Sequence, residues 1–236
     1  ILDDDREQDF EEILAQIKQR YDEIIRGLNL ELSLDEEFKV IRENFCKKIG
    51  RDYAASRGEY LNGIIMAAYL GYTFIDAAEV ICFNESGEFA AELTNNTLTA
   101  RLEDIDCAVI PGFYGAMPDG KVKTFSRGGS DVTGSIVSRA VQADIYENWT
   151  DVSGFLIADP RIIPNARTID VITYRELREL SYMGATVLHE DAIFPVKKAG
   201  IPINIRNTNR PEDKGTLIVE ATCQKPRFVI TGVTGK

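Results

Sequence analysis

Arg127, Gly128, Gly129, Ser130 and Asp131 stand side by side in FSRGGSDVTGSIVSRAV, residues 125–141. Two adjacent glycines let a backbone approach a ligand closely. Ser130 and Asp131 are both residue types that cap a helix start. Behind them Val132, Ile136, Val137, Ala140 and Val141 mark one apolar helical face. The stretch therefore reads as a glycine-rich loop opening into a helix. The unpaired N–H groups and positive dipole end of such a helix suit an anion. Arg127 adds a planar, two-pronged donor that matches a carboxylate or a phosphate.

Other polar residues are candidates on weaker grounds. Glu59 follows Gly58 in ASRGEYLNGIIMAAYLGY. Read as the first turn of a helix beginning near Ala55, it either complements the helix dipole or offers a carboxylate to an ammonium group. Gly112 and Phe113 follow the apolar run CAVI and Pro111, which places them beyond the carboxyl end of a strand, where open α/β sheets bind ligands. In TDVSGFLIADPR, Asp151 and Asp159-Pro160 interrupt an apolar run and make a loop. The single histidine, His189, lies in VLHEDAI with no nucleophile-elbow motif elsewhere, so it reads as a structural or helix-start residue.

The elements that must hold these groups follow from periodicity. Residues 1–45 look helical, with Phe10, Ile13, Leu14, Ile17, Tyr21, Ile24, Ile25 and Leu28 on one face. A second helix is expected over Leu34–Ile49, opened by a Ser33–Glu36 capping box. The third covers Ala55–Tyr72, with Leu61, Ile64, Ile65, Ala68 and Tyr69 buried. The pattern then changes. Asp106–Gly115 holds a buried strand. GAMPDGKVKTF makes a hairpin turning at Pro118-Asp119-Gly120. Further on, strands are expected at Ala143–Trp149, Ile201–Ile205 and Thr216–Glu220, and helices at Tyr174–Met183 and His189–Ala199. RFVITGVTGK starts one more strand. Strand–helix alternation predicts a three-layer αβα sandwich.

With 236 residues, 44% hydrophobic and 28% charged, the chain has ample material for a core. A net charge of −11 argues against nucleic acid or an anionic membrane as partner. A local basic loop and a bound cation still permit ATP. No apolar run is long enough to span a bilayer. The four cysteines, 46, 82, 107 and 223, make no CxxC pair. Cys82 and Cys107 sit in apolar runs and read as buried, reduced residues of a cytoplasmic protein.

Taken together, ASRGEYLNGIIMAAYL, PGFYGA, TFSRGGSDVTGSIVSRAVQAD, WTDVSGFLIADPR, the LRELSYMGATVLHEDAIFPVKKAGIPINIRNTNRPEDKGTLI stretch and the terminal FVITGV resemble the aspartokinases, within the amino-acid kinase superfamily. The resemblance runs from residue 55 to the end, and the preceding helices fit the family's helical insertion. It implies an α/β fold with a mainly parallel central sheet. Residues 1–54 would be the helical part of the amino-acid-binding lobe. Residues 55–226 would be the catalytic core, with an aspartate side over 55–142 and a nucleotide side over 143–226. Residues 227–236 would lead into a regulatory ACT domain.

The implied reaction moves the γ-phosphoryl group of MgATP, its Mg2+ held through the ATP phosphates, to the side-chain carboxylate of L-aspartate. The product, 4-phospho-L-aspartate, opens lysine, methionine and threonine synthesis. A carboxylate nucleophile is already ionised at neutral pH, so catalysis rests on positioning and charge neutralisation. By the same resemblance Arg127 clamps the substrate α-carboxylate, and Gly128, Gly129, Ser130 and Asp131 hold aspartate at the helix mouth. Arg127 and Asp131 are the catalytic candidates. Glu59 meets the amino group, and Gly112 and Phe113 line the pocket. Thr150, Asp151, Leu156, Asp159, Arg161 and Thr186 form the nucleotide side. Some relatives carry an aromatic residue at the Leu156 position and many a lysine at the Thr186 position. The family's opening Lys-Phe-Gly-Gly-Ser loop and its ACT domains have no counterpart in this sequence, so the 236-residue chain alone is expected not to turn over. Homo-oligomers are expected of the full-length protein. Another amino-acid kinase, acting on glutamate or uridylate, and a non-catalytic amino-acid-binding or regulatory subunit are the alternatives.

Overall fold

A computed structural model describes residues 7–126, 128–159, 161–182, 190–221 and 231–233. The chain forms two compact units, Ile1–Phe125 and Ser126–Lys236. The strand expected from 227 onward lies almost wholly outside the described residues, as do Arg127, Thr186 and His189.

The first unit begins with three helices, α1 (Glu7–Gly27), α2 (Asp35–Cys46) and α3 (Arg51–Leu70). Phe10, Leu14, Ile25, Leu34, Phe38, Ile41, Leu61 and Ile65 interlock as their core. Ile13, Ile17 and Leu28, expected on that buried face, are exposed. Ile13 and Ile17 instead line a groove of about 410 Å³ with Phe45 and Ile49. The Ser33–Glu36 capping box does not form. Leu34 occupies the cap position, the Ser33 hydroxyl accepts from the Asp35 N–H, and Glu36 pairs with Lys39.

Helix α3 starts four residues before the expected position. Its buried face is Tyr53, Ser56, Arg57, Leu61, Gly63, Ile65 and Ala67, while Ala68 and Tyr69 are exposed. After it come β1 (Thr73–Phe74), the short helix α4 (Ala77–Val80) and α5 (Ala91–Leu102), then β2 (Ala108–Val109), β3 (Tyr114–Ala116) and β4 (Val122–Thr124). Strand β2 pairs in parallel with β1 over two residues only, so the long buried strand read in 106–115 is mostly loop. Cys107 is exposed and Cys82 half-buried, against the expectation of two core thiols. The hairpin holds: β3 and β4 pair antiparallel in the register Tyr114 to Thr124.

The second unit opens with α6 (Gly129–Ala140), followed by β5 (Tyr146–Thr150), β6 (Val171–Thr173), α7 (Tyr174–Tyr182), α8 (Glu190–Ala199), β7 (Ile203–Asn207) and β8 (Thr216–Val219). Its sheet runs β5-β7-β8-β6. The outer pairs, β5 with β7 and β6 with β8, are parallel, and the central β7–β8 pair is antiparallel. Ile203, Ile205 and Ile218 are fully buried in this sheet and meet Phe155, Ile172, Leu177 and Val196. Helix α6 packs on α8. Pro195 inside α8 cannot donate to the helix, and the next N–H, of Val196, donates to the buried Ser135 hydroxyl of α6 at 3.3 Å. On α6, Val132, Ile136 and Ala140 are buried as the apolar pattern predicts, whereas Val141 is exposed.

Candidate functional site

In the second unit the glycine loop does open into a helix, with a different cap. Gly128 itself is the N-cap, at φ 55° and ψ 27°, and no side chain caps the helix. The left-handed conformation is one that glycine adopts without a Cβ penalty. Ser130 and Asp131 therefore lie inside the first turn. Ser130 is exposed and Asp131 half-buried. The N–H groups of this turn have no intrahelical acceptor, which keeps the helix mouth suited to an anion. Asp131 Oδ1 accepts from Asn148 Nδ2 on β5 at 2.9 Å. Its backbone carbonyl accepts from the Tyr146 hydroxyl at 3.3 Å.

Strand β5 delivers Thr150 and Asp151 to the carboxyl end of the sheet. The Thr150 hydroxyl donates to Asp151 at 3.3 Å, and its carbonyl accepts from both the N–H and the hydroxyl of Thr208 beyond β7. Ser153 ties the same two loops together: its hydroxyl donates to Asp213 at 2.6 Å and accepts from Asn207 Nδ2 at 2.9 Å. Loops at the carboxyl ends of neighbouring parallel strands are the usual ligand side of an α/β sheet. Further along, Leu156 bridges to Thr168. The Arg161 guanidinium grips Asp159 with Nε and Nη2, the shortest bond being 2.6 Å, and the Arg161 N–H bonds the same carboxylate. Those bonds hold Asp159 below the usual carboxylate range. Arg161 remains largely in solvent.

Glu59, Gly112 and Phe113 belong to the first unit. Because α3 begins at Arg51, Glu59 is in its third turn and does not complement the dipole. Asp52 occupies the first turn, where it accepts from the N–H and hydroxyl of Thr124. Glu59 is half-buried, and the Tyr21 hydroxyl donates to the neighbouring Gly58 carbonyl at 3.0 Å. Burial and then the Glu59 charge push that hydroxyl's pKa up. Phe113 has φ 62°, a conformation rare for a bulky side chain. Such strain is retained where surrounding structure over-determines it. Here Phe125 N–H bonds the Phe113 carbonyl at 2.9 Å, and the next residue, Tyr114, is fully buried with its hydroxyl on Asp76 at 2.7 Å. Arg57 completes this frame. Its guanidinium lies 4.5 Å from the Tyr53 ring centre, 4.4 Å from that of Tyr60 and 5.5 Å from that of Tyr114.

Several of these residues escape sequence reading. Arg57 and Tyr114 lie within ASRGEYLNG and PGFYGA, and the spacing of those stretches gives neither a role. Asn148 is signalled only by its spacing, two residues before Thr150 on a strand. Asn207 and Thr208 are signalled by the polar run NTNR that ends an apolar strand.

The amino acid kinase family model matches residues 6–207, and the chain belongs to that family. Within it the chain is similar to aspartokinases. It is 56% identical to the aspartate kinase of Clostridium acetobutylicum, described as an allosteric enzyme, and superposes with a TM-score of 0.89 over 95% of this chain and 52% of that one. Aspartokinase 3 of Bacillus subtilis is 41% identical over 177 residues, 71% of this chain and 39% of that protein. The structure of E. coli aspartokinase III with aspartate and ADP matches at 26% identity and a TM-score of 0.71, covering 94% of this chain and 54% of that one. The chain thus spans about half the length of these relatives or less. Its α/β architecture is that of the amino acid kinases. Among the described residues no helix is long and apolar enough to cross a membrane.

Proposed function

We propose that this chain is the greater part of the catalytic domain of an aspartokinase, arranged as a three-layer αβα sandwich. One observation carries the reading: 56% identity to an aspartate kinase sustained over 95% of the chain. The relative solved with aspartate and ADP supplies the ligand classes. In the proposed reaction a side-chain carboxylate oxygen of L-aspartate attacks the γ-phosphorus of MgATP. The bond from that phosphorus to the β-phosphate oxygen breaks, ADP leaves, and no proton need move. Mg2+ arrives with the nucleotide phosphates.

The residues divide the work. Arg127 would clamp the α-carboxylate at the mouth of α6, with Gly128, Gly129, Ser130 and Asp131 beside it. Glu59 would meet the ammonium group, and Gly112 and Phe113 would wall the pocket, the strained Phe113 turn being held by Tyr114 and Asp76. Thr150, Asp151, Leu156, Asp159, Arg161 and Thr186 would form the nucleotide side. The helical lobe would be 1–54, the core 55–226, and 227–236 the approach to a regulatory domain. The full-length protein would be a cytoplasmic homo-oligomer under allosteric control, acting in amino-acid biosynthesis.

The test is an ADP-release assay on the full-length protein that carries this chain, with L-aspartate, L-glutamate and uridylate as separate acceptors. Turnover with aspartate alone, reduced at least a hundredfold by Asp131→Ala, is the expected result. Preference for another acceptor, or binding of aspartate without turnover, would replace the reading with one of the alternatives.

A further inference from the structure

Asp131 has an unusual position for a first-turn acid. The N-cap of its helix is Gly128. The Asp131 side chain turns toward β5, where it meets Asn148, only 8% exposed. The two N–H groups of the Asn148 amide have two acceptors, Asp131 Oδ1 at 2.9 Å and the Tyr146 hydroxyl oxygen at 3.0 Å. The Tyr146 hydroxyl donates in turn to the Asp131 carbonyl at 3.3 Å. A closed set of three bonds thus fixes both the backbone and the carboxylate of Asp131. Burial, and then the nearby Asp131 charge, outweigh the Asn148 bond and push the Tyr146 pKa up, so the hydroxyl remains a donor.

The helix is shaped to receive this ring. Gly134 lies one turn beyond Asp131, and a Cβ there would stand 2.6 Å from the Tyr146 hydroxyl oxygen. Tyr146, Asn148 and Thr150 share one face of β5, with Glu147 and Trp149 exposed on the other. The strand face that grips Asp131 therefore ends at Thr150.

We infer that Asn148, backed by Tyr146, is a positioning residue for substrate: it anchors Asp131 Oδ1 and so aims Oδ2, which has no partner among the described residues, at the bound amino acid. The inference rests on the aspartokinase reading. A flexible Asp would have to be ordered each time substrate binds, and a buried amide removes that cost in advance.

The experiment is steady-state kinetics of the full-length protein carrying Asn148→Ala, Asn148→Asp or Tyr146→Phe, each checked for an unchanged thermal midpoint. Loss of a hydrogen bond to a charged group predicts an aspartate KM about tenfold higher in Asn148→Ala, with the ATP KM within twofold of wild type. Asn148→Asp, which sets one carboxylate against another, is expected to exceed that loss. Tyr146→Phe keeps the ring and the amide and is expected to raise the aspartate KM about threefold; it serves as the reading if both Asn148 variants unfold. An active wild type whose folded variants keep the wild-type aspartate KM, or lose both substrates equally, overturns the inference. A wild type without aspartate-dependent turnover overturns the functional reading itself.

Discussion

Arg57 in the first unit and Asn148 in the second are both buried to 8% exposure beside a candidate substrate group, and different forces hold them. Arg57 sits among the rings of Tyr53, Tyr60 and Tyr114, and its Nε and Nη2 donate to the single hydroxyl of Ser56. Asn148 sits in a set of directional bonds in which each N–H has a named acceptor. The contrast extends outward. Around Phe113 the first unit uses packing of large aromatic surfaces, which fixes the shape of a turn. At the ends of β5 and β7 the second unit uses Asn207, Ser153, Asp213 and Thr208, which fix the positions of single oxygen atoms. A frame of rings suits a pocket wall. A lattice of short polar side chains suits loops that meet phosphates, because each bond can be exchanged for one to a ligand.

The largest effect expected from either unit comes from geometry rather than polarity. Gly215 precedes β8 at φ 70°, and a Cβ there would stand within covalent range of the Ile205 carbonyl oxygen. Gly120, in the hairpin of the first unit, has the similar φ of 80° with nothing within 4 Å of a Cβ. Gly215→Ala should therefore cost more than ~3 kcal/mol, through strain plus a clash with backbone that belongs to the β7–β8 pairing. Gly120→Ala should cost only the ~1 kcal/mol of the left-handed conformation. Urea unfolding of both variants measures the difference. Equal losses would mean that the second unit absorbs backbone shifts as readily as an open hairpin.

An intermediate effect separates rings from charge. Arg57→Ala removes the guanidinium from three aromatic faces and should destabilise by ~2–3 kcal/mol. Arg57→Lys keeps the charge but loses the planar fork, so about half of the loss should remain. Complete rescue by lysine, read from unfolding midpoints, would show that charge rather than stacking holds this frame.

The parts of the molecule that were legible in the sequence are those where local pattern and tertiary packing agree. The buried residues Val132, Ile136 and Ala140 of α6 and the Pro118-Asp119-Gly120 hairpin follow from spacing alone, and the strand expected at Ile201–Ile205 forms two residues further on, at Ile203–Asn207. The errors fall where a distant partner decides. Ser33 and Glu36 have the spacing of a capping box, yet the helix takes Leu34 as its cap because that side chain is wholly buried in the core. The CAVI run suggested a long central strand, but it pairs only with a two-residue neighbour. The expected start of α3 falls four residues too late, which sets Glu59 in the first turn instead of the third, since Gly50 and Arg51 give no polar side-chain capping signal. Among the candidate site residues, Asp131 is visible in the sequence as a capping residue type after two glycines, and the structure moves it into the first turn behind the Gly128 cap. Asn148 is not visible, because its bond to Asp131 forms only once β5 lies along α6.

The smallest effect on stability should accompany a selective effect on binding. Asp159 and Arg161 are two residues apart in an exposed loop and bond each other through two guanidinium nitrogens. Exposed pairs contribute little to folding because water screens them and two side chains must be held still. Arg161→Ala should therefore leave the unfolding midpoint where it is. Under the proposed function the same guanidinium is presented to the nucleotide phosphates, and Asp159 holds it ready. Its bonds with Arg161 keep the Asp159 carboxylate ionised to below its ordinary range, so the pair persists throughout the neutral and mildly acid region. Loss of Arg161 should raise the ATP KM of the full-length protein several-fold while the aspartate KM stays within twofold. Asp159→Asn tests the holding role separately: it keeps Arg161 but frees it to wander, so a smaller rise in ATP KM is expected. If Arg161→Ala lowers the unfolding midpoint and leaves the ATP KM unchanged, the Asp159–Arg161 pair is part of the fold. The nucleotide side would then have to be sought in the hydroxyls and amides at the ends of β5 and β7.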